Sequence, residues 1–331
     1  MAATIIDVAK RCGYSKATVS RAYASPQVVK EHTREKIYAA AKELNYAPNA
    51  IARAMVRQRT ENIAFIIHEK QYPAILNPFY SGILEAAIQE ATKRGYSLFI
   101  TPSQNMSLPS GEIFVKKQMD GAIFAGEADG RVIEYFMSQN IPVVLLNNYL
   151  KMKNLLCITV DHIHGAEAAT EHLIRTGHKR IGLIAGRFSK QVSEARRQGF
   201  ENKMNEYHLG IDESLIAEID PIMEDAETVV MGMLKSKNRP TALFCTNDTI
   251  AVGAIKAIHR AGLRVKKDVA VVGFDDSSIS RLIEPELTTV RIDAAHLGNL
   301  AATKLFELID GKRVSKKQIE VPTKLIVRDS A

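Results

Sequence analysis

From Asn62 onward this 331-residue chain alternates short β-rich apolar runs with amphipathic helical stretches. No other feature constrains the fold as much. Candidate strands fall at 63–67, 97–101, 121–124, 143–146, 158–160, 180–185, 242–244, 269–274 and 287–291, and helical stretches at 80–94, 165–176, 196–207, 226–235, 249–261 and 294–309. Strands separated by helices predict parallel sheets covered by helices, because a parallel connection needs a crossover of helical length. So many strands exceed one ordinary sheet, so two α/β halves facing a cleft are expected. An internal echo agrees: Gly95-Tyr96-Ser97-Leu98-Phe99-Ile100 and Gly177-His178-Lys179-Arg180-Ile181-Gly182-Leu183-Ile184 each place Gly after a helix and before a strand.

In open sheets of this kind, ligands bind beyond the C-terminal ends of the strands. The segments there include Asn77-Pro78-Phe79-Tyr80, Asp161, Arg196 with Gly199-Phe200, Asn247-Asp248, and Gly273-Phe274-Asp275-Asp276. Carboxylates, an amide, a guanidinium and aromatics converging on one cleft suit a polyhydroxyl or heterocyclic ligand. Adjacent residues at a strand end point opposite ways, so only one of Asp275 and Asp276 should face that cleft.

Charge divides the chain differently. The first 60 residues hold 11 Lys/Arg against 4 Asp/Glu, while the remaining 271 are balanced at 33 against 33. A basic module on a neutral body points to a polyanion partner for the module alone. Thr4-Ile5-Ile6-Asp7 has capping-box form and should start a helix. Ile5, Val8, Ala9 and Cys12 supply its apolar face, and Gly13 ends it. Ser15 can cap a second helix over 16–23, whose Lys16, Thr18, Ser20 and Arg21 are donors suited to phosphates and base edges. A third helix is expected over 31–44, with Ile37, Ala40, Ala41 and Leu44 closing a small core. Helix, Gly turn and a second helix with polar residues at its start is helix-turn-helix order, in which the second helix enters the major groove of DNA. Asn49 can cap a further helix over 50–57, too short at about two turns to be stable without a partner.

Thr4-Ile5-Ile6-Asp7-Val8-Ala9-Lys10, Gly13-Tyr14-Ser15-Lys16-Ala17-Thr18-Val19-Ser20-Arg21 and Asn45-Tyr46-Ala47-Pro48-Asn49-Ala50-Ile51-Ala52-Arg53 resemble the lactose-repressor family of bacterial transcription regulators. The resemblance runs the whole chain. It implies a helix-turn-helix domain over 1–47, a hinge helix and linker over 48–61, and an effector-binding and dimerisation body over 62–331. That body would resemble periplasmic sugar-binding proteins, as two doubly wound α/β subdomains with the chain crossing between them near 161, 291 and 321. Carried over, Lys16, Ala17 and Arg21 take the base-reading positions. Thr4, Ser15, Thr18 and Ser20 take backbone or neighbouring contacts, and Asn49 and Arg53 belong to the hinge. Met55 stands where relatives wedge an apolar residue, usually Leu, into a base step. Phe79, Tyr80, Asp161, Arg196, Asn247 and Asp275 take pocket positions. The chain departs from the pattern at His162, where many relatives have Asn or Tyr, and in a longer loop over 68–76.

Several classes are disfavoured. Cys12, Cys157 and Cys245 are odd in number and scattered, which fits free thiols in a reducing compartment. No apolar run approaches a membrane span, and no export signal is seen, so a cytoplasmic protein is expected. Dinucleotide, phosphate-loop and nucleophile-elbow motifs are absent, and His162-Ile163-His164 lacks the partners of a zinc site, so neither catalysis nor a metal or cofactor is expected. Lys312-Arg313 and Lys316-Lys317 are expected to form a solvated basic turn. The expected function is a homodimeric repressor of a pseudo-palindromic operator, controlled by a small molecule such as a sugar. No heptad tail follows the last strand, so dimers rather than tetramers are expected. One alternative control is a phosphorylated carrier protein docking on the body. A solute-binding protein or sugar-processing enzyme fits the basic module less well.

Overall fold

A computed structural model describes residues 3–24, 26–46, 59–68, 76–103, 119–313 and 316–331. The hinge positions Asn49, Arg53 and Met55, and loop residues 69–75, lie outside the described residues. The chain divides into a small unit, residues 1–62 with 113–120, and a large unit, residues 63–112 with 121–331.

The small unit contains α1 (Ile5–Cys12), α2 (Lys16–Ala24), a single 3-10 turn (Pro26–Val28) and α3 (Glu31–Glu43). The Thr4 hydroxyl and the Asp7 carboxylate form a reciprocal capping box at the start of α1. Gly13 ends that helix at φ 74°, a left-handed conformation that would strain a residue with a Cβ. Val8, Val19, Ala22, Ile37, Ala40 and Ala41 form the core, with Tyr14, Tyr23 and Tyr46 packed around it. Tyr38 donates to the Ala22 carbonyl at 2.9 Å, and Arg34 to the Pro26 carbonyl at 3.0 Å, so α3 is tied to the preceding segments by polar bonds as well. Asp120 also belongs to this unit, accepting from Thr60 N, Thr60 Oγ1 and Glu61 N at 2.7–3.1 Å.

The large unit is two six-stranded sheets. The first contains β1 (Asn62–Ile67), β2 (Ser97–Pro102), β3 (Gly121–Ala125), β4 (Val143–Leu146), β5 (Leu156–Val160) and β11 (Gln318–Val321), in the order β11-β5-β4-β3-β1-β2. The second contains β6 (Ile181–Gly186), β7 (Ile216–Ile219), β8 (Ala242–Cys245), β9 (Ala270–Asp275), β10 (Thr288–Arg291) and β12 (Lys324–Ile326), in the order β12-β10-β9-β8-β6-β7. Its pairs are parallel except β10–β12. The chain passes from one sheet to the other after β5, after β10 and after β11, so three strands of chain join the lobes. The strands β1, β3, β4, β6, β8 and β9 are almost wholly buried, as expected for parallel strands covered on both faces.

Helices α4 (Pro78–Lys93), α5 (Gly130–Ser138) and α10 (Ala294–Ile309) belong with the first lobe. Helices α6 (His162–Arg175), α7 (Lys190–Glu206), α8 (Met223–Leu234) and α9 (Asp248–Arg260) belong with the second. The pairs α4–α10, α6–α7 and α8–α9 make the closest helix packing. At the first of these, a Cβ on Gly298 would run into the Ile83 carbonyl and lie 2.9 Å from Ala86 Cβ, so only Gly allows that approach. Helix α6 begins three residues before the 165 expected from periodicity, where the Asp161 side chain caps it, and α7 begins six before 196, directly after Ser189.

Candidate functional site

Helix α2 owes its start to Ser15, whose Oγ accepts from Thr18 N at 3.1 Å and lies 2.9 Å from Thr18 Oγ1. Those two hydroxyls therefore shape the helix end, as Thr4 does for α1. Lys16, Ala17 and Arg21 are exposed, while Val19 and Ala22 face the core and Ser20 is half-buried. One face of α2 is thus anchored, and the other offers two cations and a small apolar patch. A helix so presented can offer bidentate donors to guanine and a methyl group to thymine.

In the large unit the loops leaving β1, β3, β4, β6, β8 and β9 meet at a cleft. They supply His68, Glu127, Asn147, Phe188, Asn247 and Asp275, while Phe79, Tyr80 and Arg196 project from helices. At the mouth a second compartment is lined by Pro78, Asp220, Ile222 and Ser277, and shares Asn77, Phe79, Arg187, Asn247 and Asp275 with the first.

Arg196 forms the floor. Its residue is 2% exposed, and its guanidinium lies 3.9 Å from the Phe274 ring centroid and 5.2 Å from that of Phe188. It donates through Nη2 to Asp275 Oδ1 at 3.2 Å, through Nε to His162 Nδ1 at 3.3 Å, and through Nη1 to the Thr246 carbonyl. These bonds use three of its five N–H groups. Burial raises the Asp275 pKa, and Arg196 only partly offsets this. Asp275 adopts φ 108° and Asp276 φ 51°, so the chain twists sharply between them. Asp276 consequently turns away, to Arg291 at 2.6 Å and Arg328 at 2.5 Å, and one carboxylate of the pair faces the cleft.

Behind Asp275 lies Asp248, which accepts from Ser277 N at 2.7 Å, Ser277 Oγ at 2.9 Å and Thr289 Oγ1 at 2.6 Å. Burial raises its pKa most, and the nearby Asp275 charge adds to that. Asn247 caps α9 through its side-chain oxygen, 2.8 Å from Ile250 N, which leaves its NH₂ as a donor. Burial pushes the Tyr80 hydroxyl up to about 12, so it remains a neutral donor and acceptor. Across the cleft, Gln191 of α7 donates to the Tyr149 carbonyl at 2.8 Å and accepts from Tyr149 N at 3.1 Å.

The structure brings Phe79, Tyr80, Arg196, Asn247 and Asp275 to this one cavity. Asp161 is placed differently. Its carboxylate accepts from His164 N at 3.0 Å as the cap of α6, and it is not among the cleft-lining residues. Its neighbour His162 points inward instead, buried between Arg196 and Asn147. The cleft also takes His68, Asn77, Glu127, Asn147, Arg187, Phe188 and Val192, which the sequence reading did not single out as ligand contacts. The first residues after strands β1, β4 and β6 are His68, Asn147 and Arg187, so position beyond a strand end was the available signal. Among the described residues no cluster of three or more metal-ligating side chains occurs, and no helix is long and apolar enough to cross a membrane.

Residues 4–49 match the pattern of bacterial regulatory proteins of the lacI family, and residues 170–331 that of a periplasmic binding protein-like domain. The HTH-type transcriptional repressor PurR of Pasteurella multocida (strain Pm70) is 34% identical over 333 residues, covering 99% of this chain and 98% of the relative. The lac repressor dimer bound to operator and the anti-inducer ONPF aligns with a TM-score of 0.86 at 28% identity, covering 100% of this chain and 99% of that one. A complex of the transcriptional regulator CelR with cellobiose aligns with a TM-score of 0.74 at 27% identity, covering 99% of this chain and 100% of that one.

Proposed function

The chain belongs to the lacI family of bacterial regulatory proteins, and from that premise we propose that it is a cytoplasmic, homodimeric repressor whose operator affinity is set by a neutral sugar in the cleft. Residues 1–47 read the operator, 48–61 form the hinge and 62–331 carry effector binding and dimerisation. Within the reader, Lys16, Ala17 and Arg21 contact bases, and Thr4, Ser15, Thr18 and Ser20 support the backbone contacts. Asn49, Arg53 and Met55 act at the hinge.

The balance of charge in the cleft carries the sugar reading. Two guanidinium groups, Arg187 and Arg196, and two carboxyl groups, Glu127 and Asp275, line the inner compartment, so a charged ligand would meet both signs there. What remains unsatisfied is neutral valence: two Arg196 N–H groups, the Asn247 NH₂, the Tyr80 hydroxyl and the second oxygen of Asp275. Donors and an acceptor packed this closely suit adjacent hydroxyls, each of which gives and accepts one bond. Phe79 and Phe188 can cover the apolar face of a sugar ring. The cellobiose held by CelR, a similar chain, agrees with this class.

A thermal-shift screen of free sugars, phosphorylated sugars and nucleobases tests the proposal. A neutral sugar at about 100 times its Kd should stabilise the protein by roughly 2.7 kcal/mol, and Asp275→Ala should abolish the shift. Stabilisation by nucleobases or phosphosugars alone, or by a phosphorylated carrier protein in place of any small molecule, would remove the sugar from the reading.

A further inference from the structure

We propose that Asp120 is a positioning residue for operator binding: its carboxylate latches Thr60 and Glu61, so that the segment leading to the reader starts from one fixed point at the head of β1 and β3. The proposal deepens the operator-binding reading and rests on it.

The latch joins one carboxylate to the end of one segment. Asp120 Oδ1 accepts from Thr60 N at 2.7 Å and from Thr60 Oγ1 at 2.8 Å, and Oδ2 accepts from Glu61 N at 3.1 Å. Thr60 Oγ1 in turn accepts from Asn62 N at 3.2 Å, and Asp120 N donates to the Asn62 carbonyl at 2.8 Å. Thr60, Glu61 and Asn62 are thus all held, directly or through Thr60, to a residue remote in sequence. Only an acceptor on both branches suits these donors, because an amide in place of the carboxylate would turn its NH₂ toward one of them.

Glu61 gives a second, independent sign. Its φ is 57°, in the left-handed region that residues other than Gly, Asn and Asp seldom adopt. Such a conformation persists only where the surroundings over-determine it. Here the bonds at Thr60, Glu61 and Asn62 do so, and without Asp120 the turn would relax.

The place of the latch gives it a function. Asn62 opens β1 and Gly121 opens β3, and the two strands pair in parallel from Ile63 with Gly121 to Ile67 with Ala125. Their far ends lead into the cleft: His68 follows β1, Gly126 and Glu127 follow β3, and all three line it. The segment that leads to the reader therefore starts from the same buried ladder that carries part of one cleft wall. On an operator, two readers must meet two half-sites at a set spacing. With Thr60 and Glu61 ordered before DNA is met, their ordering entropy does not oppose that placement. Binding to random DNA rests on cations and phosphates and needs no such placement. Loss of the latch should therefore weaken operator binding and spare non-specific binding.

Two measurements on the full-length protein test this. The probes for the first are a duplex that the parent selects from a random library and a random duplex of equal length. Asp120→Ala should bind the selected duplex about tenfold more weakly, the scale of one hydrogen bond to a charged group, and the random duplex as the parent does. Thr60→Val removes one donor and should lose less, and the double variant should lose less than the two losses combined, because both remove the same contact. Operator affinity equal to the parent's, or equal losses on both duplexes, overturns the proposal. Should Asp120→Ala fail to fold, Thr60→Val decides, and an operator-to-random ratio equal to the parent's overturns it. The second measurement is hydrogen exchange without DNA. The Thr60 and Glu61 amides should lose protection in Asp120→Ala while those of β1 keep theirs. Unchanged exchange at Thr60 and Glu61 overturns the proposal. If the parent selects no duplex, the operator reading has failed, whereas the exchange result still upholds or removes the latch.

Discussion

Two carboxyl groups one behind the other beneath the cleft, Asp275 and Asp248, are answered very differently. Asp275 meets a guanidinium, whereas Asp248 is held by two hydroxyls and one backbone N–H, with no ion pair to it among the described residues. Burial is the largest cause for both, raising them to about 6 and about 7. The folded protein therefore keeps protons that the unfolded chain has released above the ordinary carboxylate value near 4. By linkage, stability falls as pH rises from about 4 through those raised values and is level above them. Asp248→Asn removes one of the two groups, so its fall across this window should be shallower than the parent's, while mismatched donors cost roughly 1–3 kcal/mol. Urea denaturation of both proteins at several pH values between 5 and 8 checks this. Parallel pH profiles would mean that Asp248 does not titrate there. Lowered carboxyls such as Asp276, held down by Arg328 and Arg291, lose their contribution only at more acid pH and do not mask the effect.

The elements that were legible in the sequence are those with strong local signals. Buried parallel strands such as β1, β3 and β4 are continuous apolar runs, and α1 carries both ends of its helix grammar in Thr4 with Asp7 and in Gly13. Strands β7 and β11 were not legible, because edge strands such as Ile216-Ala217-Glu218-Ile219 and Gln318-Ile319-Glu320-Val321 mix polar and apolar residues over only four positions. Helix α5 was missed too, although Asp129 caps it through Arg131 N. The cleft was half legible. Asp275 and Arg196 stand at recognisable places, but Asp161 and His162 differ in role by one residue, and only the cap geometry tells which side chain turns inward. Two predictions belong at this scale. Gly298→Ala forces apart α4 and α10, because the obstacle is the Ile83 backbone carbonyl, and should cost about 1–3 kcal/mol by overpacking. A melting temperature equal to the parent's would show that the helices can separate freely. On α2, Arg21→Ala should lose roughly 1–3 kcal/mol of discrimination if the exposed guanidinium reads a base. Competition binding with operator and random duplex measures it, and a uniform loss on both would make Arg21 a phosphate contact.

At the scale of the whole molecule, an effector can act on operator affinity only by binding two arrangements of the body unequally. The structure shows what would distinguish them. Among the described residues two polar links cross between the lobes near the cleft, Gln191 with Tyr149 and His162 with Asn147, and Arg196 holds His162 from within its own lobe, at the chain's first passage from sheet to sheet. A ligand that engages Tyr80 on one wall and Arg196 with Asp275 on the other adds to these links only while the lobes stay together, and so favours that arrangement. Asp275→Ala removes the ligand's hold on the second lobe, but Arg196 keeps His162 and the Thr246 carbonyl. Ligand-free operator affinity should therefore stay within about twofold of the parent's, a shift below roughly 0.5 kcal/mol. The effector's influence should disappear, since coupling depends on differential contacts and not on occupancy alone. Fluorescence-anisotropy titrations of operator, with and without the sugar that emerges from the screen, give all four affinities of the cycle. Should Asp275→Ala respond to the sugar as the parent does, Asp275 is not the contact through which ligand and lobe arrangement are coupled. Should its ligand-free affinity fall instead, the carboxylate acts on the resting arrangement rather than on the ligand.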